Sequence, residues 1–238
     1  MTNQILLTNE FDINSVSFTK PRKNNMGGQN ILINYNQGTN NTPLIFQTPR
    51  LRAPFGLDRQ DNDGVGPVKY NINVSLAHGE NPGPNVQAFT DNIGCLDNFV
   101  KTKGTELSES WFGKQKSAEV VNELFKPCER KSKDDKWAST LRLKLPIRDG
   151  KPTFAAYGQD KNELDVMTQD GEISPDFIQR GCEVVAIIQC TGVWFIGKTQ
   201  FGIGWKVLQV KIFQTNKLVG YSIVDEEDVE EEEDDEVE

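Results

Sequence analysis

The sequence has 238 residues, 26 of them basic and 35 acidic, for a formal charge of -9. That length fits one large domain, and 26% charged with 36% hydrophobic residues is a globular composition with enough apolar side chains for a core. No apolar run is long enough for a membrane helix, and Met1–Glu10 lacks the basic-then-apolar order of a secretory leader, so an intracellular protein without membrane contact is expected. The net charge divides unevenly. Asp225–Glu238 holds 12 of the 35 acidic residues and no basic one, so the other 23 face 26 Lys and Arg, about +3 for residues 1–224. The expected organisation is a mildly basic domain, 1–224, and a disordered acidic tail, 225–238, in which like charges repel and nothing can be buried.

Taken in chain order, Gln29–Tyr35 alternates apolar and polar residues as a half-buried strand does, and Pro43–Gln47 reads as a second strand. Lys69–Leu76 alternates again, with Tyr70, Ile72, Val74 and Leu76 on one face. Asn85–Lys101 places Val86, Phe89, Ile93, Leu96, Phe99 and Val100 at helical spacing. Ser117–Phe125 reads as a short helix capped by Ser117, its apolar face Val120, Val121, Leu124 and Phe125. Strands return at Ser139–Ile147, Thr153–Tyr157, Glu183–Gln189, Val193–Ile196 and Trp205–Phe213, with a turn at Thr191-Gly192 and a bend over Gln200–Gly204. About eight short strands around two helices predict a mainly β protein: a closed or nearly closed barrel with a helical insertion.

Catalytic signals are weak. Gly192–Thr199 (GVWFIGKT) fits the spacing of a phosphate-binding loop, but Val, Trp, Phe and Ile favour extended backbone, and no helix pattern follows. His78 is the one histidine and sits in a Gly/Pro loop, Asp134-Asp135 lies in a polar run, and the four cysteines form no C-x-x-C pair. The expectation is a non-enzymatic protein with buried free thiols and neither metal nor cofactor.

What recurs is cations beside aromatics: Arg50, Arg52 and Phe55; Lys69 and Tyr70; Trp111, Phe112, Lys114 and Lys116; Lys136 and Trp137; Lys198, Phe201, Trp205 and Lys206. Single-strand binders need both, cations for phosphates and aromatic faces for bases. Alternation over Trp205–Phe213 assigns Lys206, Leu208, Val210 and Ile212 to the core, and Trp205, Val207, Gln209, Lys211 and Phe213 to a groove.

Three stretches, Pro43–Leu57 (PLIFQTPRLRAPFGL), Val184–Gln189 (VVAIIQ) and Val193–Phe213 (VWFIGKTQFGIGWKVLQVKIF), with the acidic tail, resemble the single-stranded DNA-binding proteins of large nucleocytoplasmic DNA viruses, a family related to the acidic-tailed binding protein of T-odd podophages. The resemblance implies an OB-type barrel and sequence-independent binding of single-stranded DNA in viral replication, recombination or repair. It implies DNA contacts from Arg50, Arg52, Phe55, Lys198, Phe201, Trp205 and Lys206, beside Lys69, Tyr70, Trp111, Lys114 and Trp137 from the interleaving. It also implies a homodimer, and tail contacts to polymerase or helicase through Asp225, Glu226, Glu227, Asp228, Glu230, Glu231, Glu232, Glu233, Asp234, Asp235, Glu236 and Glu238. The alternatives are an acidic-tailed chaperone or scaffold for basic proteins, a nucleotide-dependent enzyme using Gly192–Thr199, and a viral structural protein. The basic run Lys20-Pro21-Arg22-Lys23 is too short to choose between host nucleus and cytoplasm.

Overall fold

The computed structural model describes residues 5–23, 28–37, 40–64, 66–76, 83–132 and 137–214. The acidic stretch 225–238, His78, Asp134-Asp135 and Lys136 lie outside the described residues.

The first third of the chain lays down β1 (Val16–Phe18), β2 (Arg22–Lys23), β3 (Gln29–Ile31), β4 (Ile33–Gln37), β5 (Asn40–Pro43), β6 (Ile45–Gln47), β7 (Leu51–Arg52), β8 (Leu57–Gln60) and β9 (Lys69–Ser75). Helices α1 (Pro84–Glu106), α2 (Ser108–Phe112) and α3 (Ala118–Leu124) follow. Then come β10 (Phe125–Lys126), β11 (Glu129–Arg130), β12 (Thr140–Leu145), β13 (Ile147–Arg148), β14 (Lys151–Pro152), β15 (Ala155–Tyr157) and the long hairpin β16 (Glu183–Ile196) and β17 (Gln200–Phe213).

Pairing turns these pieces into a barrel. β6 and β7 share the first position and pair with β16, which pairs with β17; β17 pairs with β12, and β12 with β9, beside which β7 lies. β12 and β17 run parallel, and β15 continues the β12 position along β17. With β8 and β9 as second position, the ring order is 1-2-3-5-4-1 with third and fifth parallel, the arrangement of an OB-type barrel. The fold is mainly β with a helical insertion, as the sequence predicts. The insertion falls between the second and third positions, and it contains α2, which the sequence pattern does not distinguish from the surrounding helices.

The core follows from the alternation. Tyr70, Ile72, Val74 and Leu76 are buried against Leu141, Leu143 and Leu145 of the paired strand. α1 buries Val86, Phe89, Ile93, Leu96 and Val100, and Phe89 meets Phe46 edge-on at 6.1 Å. Ser117 caps α3 by accepting from the Val120 N–H, but Val120 points to solvent and only Val121 of this helix is fully buried. Three cysteines are buried as expected; Cys95 is exposed on α1.

The hairpin corrects three expectations. β16 runs unbroken through Thr191-Gly192, which forms a bulge rather than a turn; the turn lies at Gly197–Thr199. Gly192 has φ +99°, and β3 packs so close that any side chain would strike the Ile31 carbonyl. Gln200–Gly204 is strand from its first residue, not a bend. The face assignment on β17 fails at a second bulge: Ile187 pairs with Gln209 and Ile188 with Val207, leaving Leu208 unpaired. That extra residue flips the alternation, so Trp205 and Val207 share the core with Val210 and Ile212 while Lys206 turns outward.

Candidate nucleic-acid interface

The outward face of the barrel carries a polar row one residue deep on four strands. Asn71 on β9 pairs with Lys144 on β12, Lys144 with Lys206 on β17, and Lys206 with Gln189 on β16. Two like charges opposite one another on neighbouring strands repel, which favours an anion over them.

Beside this row lies a groove of about 690 Å³. Lys126, Arg130, Arg142 and Lys144 bring four cations to it against one carboxylate, Glu129. Trp194 of β16 supplies an aromatic wall. The glycines of the FGIGW motif seat that indole: a Cβ at Gly202, its cross-strand partner, would lie 2.7 Å from the Trp194 ring. The motif is a backbone shelf for a tryptophan on the adjacent strand.

The floor is a buried network. Cys128 N–H donates to Asp97 Oδ2 at 2.8 Å, and Trp205 Nε1–H donates to Cys128 Sγ at 3.4 Å. Burial raises the Asp97 pKa to about 6, opposed by its hydrogen bonds from Cys128. Burial also pushes the Cys128 thiol well above its usual range, with the Asp97 charge adding to the effect, so it stays protonated and is no nucleophile.

The twelve residues expected to contact DNA separate into distinct surroundings. Tyr70, Trp111, Phe201 and Trp205 are corrected: all four are buried in the core and offer no open ring face to a base. Trp111 packs against Phe18, Phe195 and Phe201, and Phe201 is fully enclosed among Phe112, Phe125 and Phe195. Arg50 is a clasp: it bonds Glu183 at 2.6 Å and lies 4.0 Å over the Phe213 ring, tying the first barrel position to both ends of the hairpin. Arg52 rests against Gly181, and Phe55 is 60% exposed beside Gly56, whose φ of +68° and close approach to the Ile178 carbonyl explain why the APFGL stretch needs glycine. Lys69 is exposed at the start of β9, Lys114 follows α2, and the Lys198 ammonium folds from the hairpin tip towards Gly113. Trp137 is 73% exposed before β12. Of the twelve, Trp205 lines the groove from below, and Lys206 stands beside it in the polar row.

Sequence reasoning missed Trp194, Lys126, Arg130, Arg142, Lys144 and Asn71 as site residues. The signal for two was present: Arg142 and Lys144 alternate with three buried leucines, which puts both on the open face. Gly192–Thr199 is strand and hairpin turn rather than a loop opening a helix, so its backbone is not arranged as a nucleotide phosphate cradle.

Fold and groove together define an OB-type barrel with a basic face walled by tryptophan. Residues 84–225 match a family described as a family of unknown function, DUF5871, and the chain belongs to that family. It is similar to the uncharacterized protein L291 of Acanthamoeba polyphaga mimivirus, 25% identical over 171 residues, 72% of this chain and 26% of that protein. The chain thus spans about a quarter of the length of the curated relative it matches. Among solved structures it is similar to gp2.5 of bacteriophage T7, a single-stranded DNA-binding protein, with a TM-score of 0.46, 9% identity, and 76% of this chain and 97% of that one covered. It is also similar to the single-stranded DNA-binding protein of bacteriophage Enc34 in complex with ssDNA, with a TM-score of 0.44, 12% identity, and 84% and 97% covered.

Proposed function

We propose that this protein binds single-stranded DNA without sequence preference, along the polar row and groove of the outer barrel face. The observation that supports it most directly is that Trp194, seated on Gly202, lines one groove with Lys126, Arg130, Arg142 and Lys144. Cations for the backbone and a ring for the bases are the two ingredients of single-strand binding, and neither reads sequence. A duplex hides its base faces and loses the stacking part. No covalent step is assigned to the groove: its one cysteine is a buried thiol beneath the surface.

The test is a titration of intrinsic fluorescence with single-stranded and then double-stranded oligonucleotides at two salt concentrations. Trp111 and Trp205 are enclosed, so quenching should come from Trp194, with Trp137 as a second reporter, and Trp194→Phe should remove most of it. Log affinity should fall with log salt at about 0.7 per phosphate contacted. Salt-independent binding, or equal affinity for duplex, overturns the assignment.

A role in viral DNA replication, recombination or repair extends the same reading. Asp225–Glu238 then serves as a tethered polyanion that competes for the basic face at high effective concentration and, once displaced, meets basic surfaces of partners such as a polymerase or helicase. Truncation after Val224 should tighten DNA binding; unchanged affinity rules out the competition.

A further inference from the structure

Two donors on the groove lining have nothing to donate to. Asn71 is 7% exposed, and among the described residues its Nδ2 has no hydrogen-bond partner. The Nε of Arg142 is likewise buried without one, while Nη2 of the same guanidinium is held by Asp58 at 2.8 Å. A buried donor left unmet carries the full cost of its lost hydration, so each of these calls for an acceptor from outside the chain, a water or a ligand oxygen. Arg142 and Asn71 stand on paired strands and face outward together with Lys144.

Arg130 completes the set. On β11 it pairs with Thr140 of β12, so Arg142 is its diagonal neighbour two residues along. The Arg130 pKa is lowered, first by desolvation and then by the charge of Arg142, and Asp58 relieves this only in part. Two guanidiniums brought this close gain most from one shared anion with several acceptor oxygens, which a carboxylate such as Asp58 cannot provide from one side.

We infer that Arg130, Arg142 and Asn71 form an anchoring subsite for a single phosphate group, at the Asn71 end of the polar row, that fixes the register of a bound strand in the groove. The inference rests on single-strand binding as proposed above and names the group that this corner of the site would hold. The lysines attract any polyanion and let it slide; two guanidiniums and an amide hold one phosphate in a fixed geometry.

The experiment uses the 238-residue chain and the shortest oligo-dT that binds it fully, so that a strand cannot shift register without losing end contacts, with one internal phosphate at a time replaced by a neutral methylphosphonate and wild type, Arg130→Gln and Asn71→Ala compared. Arg130 stands on a two-residue strand with its guanidinium only partly desolvated, and removing an unpartnered amide costs no hydrogen bond, so both variants should keep the wild-type unfolding midpoint. The expected result is one position at which wild type loses about tenfold or more in affinity. Arg130→Gln should lose affinity on unmodified DNA, and the substituted strand should then cost it less than it costs wild type, since only Arg142 and Asn71 remain to feel the missing charge. Losses that multiply, or an Arg130→Gln affinity equal to wild type, overturn the subsite while leaving groove binding intact. If wild type binds no single strand at all, the proposed function falls, and the subsite is then judged by inorganic phosphate. Thermal stabilisation by phosphate that Arg130→Gln lacks supports an anion site for a free phosphate; equal response in both overturns it.

Discussion

Trp205 and Trp194 sit on partner strands of one hairpin, each with a lysine within four residues, and end in opposite surroundings. Trp205 is 4% exposed, packed 5.9 Å from Phe46 with its N–H spent on Cys128. Trp194 lies half-buried across Gly202 and lines the groove. Composition does not separate them. What does is register: the bulge at Leu208 sets which way Trp205 points, and the bulge at Thr191 does the same for Trp194. The same contrast divides the molecule, with an aromatic cluster of Trp111, Phe112, Phe195 and Phe201 that holds the barrel and a groove lined by one half-buried indole.

The division can be broken most forcefully at Phe201, which is fully buried between Phe112, Phe125 and Phe195. Phe201→Ala should cost about 3–5 kcal/mol of stability in urea unfolding, with near-normal DNA affinity in the fraction that remains folded. A loss of affinity without loss of stability would put Phe201 in the interface after all.

Next in size is Asp97. Its folded pKa of about 6 stands above the ordinary 3.8, so the folded protein holds a proton that the unfolded chain gives up. The group's contribution is greatest below pH 4 and is lost as pH rises through 6, by about 3 kcal/mol at roughly 1.4 kcal/mol per unit. Asp97→Asn keeps an acceptor for the Cys128 N–H and cannot ionise. Its stability advantage over wild type should grow between pH 4 and 7 in paired denaturation curves; a constant difference would place the titration elsewhere.

The fold was legible wherever burial followed a simple period. The alternation of Lys69–Leu76 and of Leu141, Leu143 and Leu145, and the helical spacing from Val86 to Val100, each identify both element and buried face. The site was legible as a chemistry and not as an address. Cation–aromatic adjacency along the chain says that both groups are present, but neighbours in a strand point to opposite faces. For Tyr70 beside Lys69, and Trp205 beside Lys206, one of each pair is therefore core. The groove is assembled from strands distant in sequence, with Arg130 and Arg142 meeting only through β11–β12 pairing and Trp194 reaching them through the barrel order. Bulges cannot be read from alternation, because they are where alternation stops.

On the groove side, Trp194→Ala should weaken single-strand binding by about 1–3 kcal/mol, the value of one stacked base, and remove most of the fluorescence response. Trp205→Phe should instead lower stability, since its N–H bond to Cys128 is lost, and leave affinity nearly intact. Reversal of that pattern would mean the strand contacts the barrel from another side.

The smallest effect is the most specific. Lys206 and Lys144 stand opposite one another on parallel strands, so each raises the cost of the other in the free protein, and one phosphate chain bound as proposed would relieve both. Lys206→Gln should make the slope of log affinity against log salt shallower by about 0.7, one phosphate's share, while leaving the stacking-dependent quench in place. The same change should leave stability unchanged or slightly raised, because a repulsion is removed with no bond broken. Adding Lys144→Gln should flatten the slope by less than a second full step, since a phosphate shared by the two lysines can be lost only once. Two full, independent steps would show that each lysine meets its own phosphate, as successive phosphates of a strand laid along the row and across the barrel strands would be met.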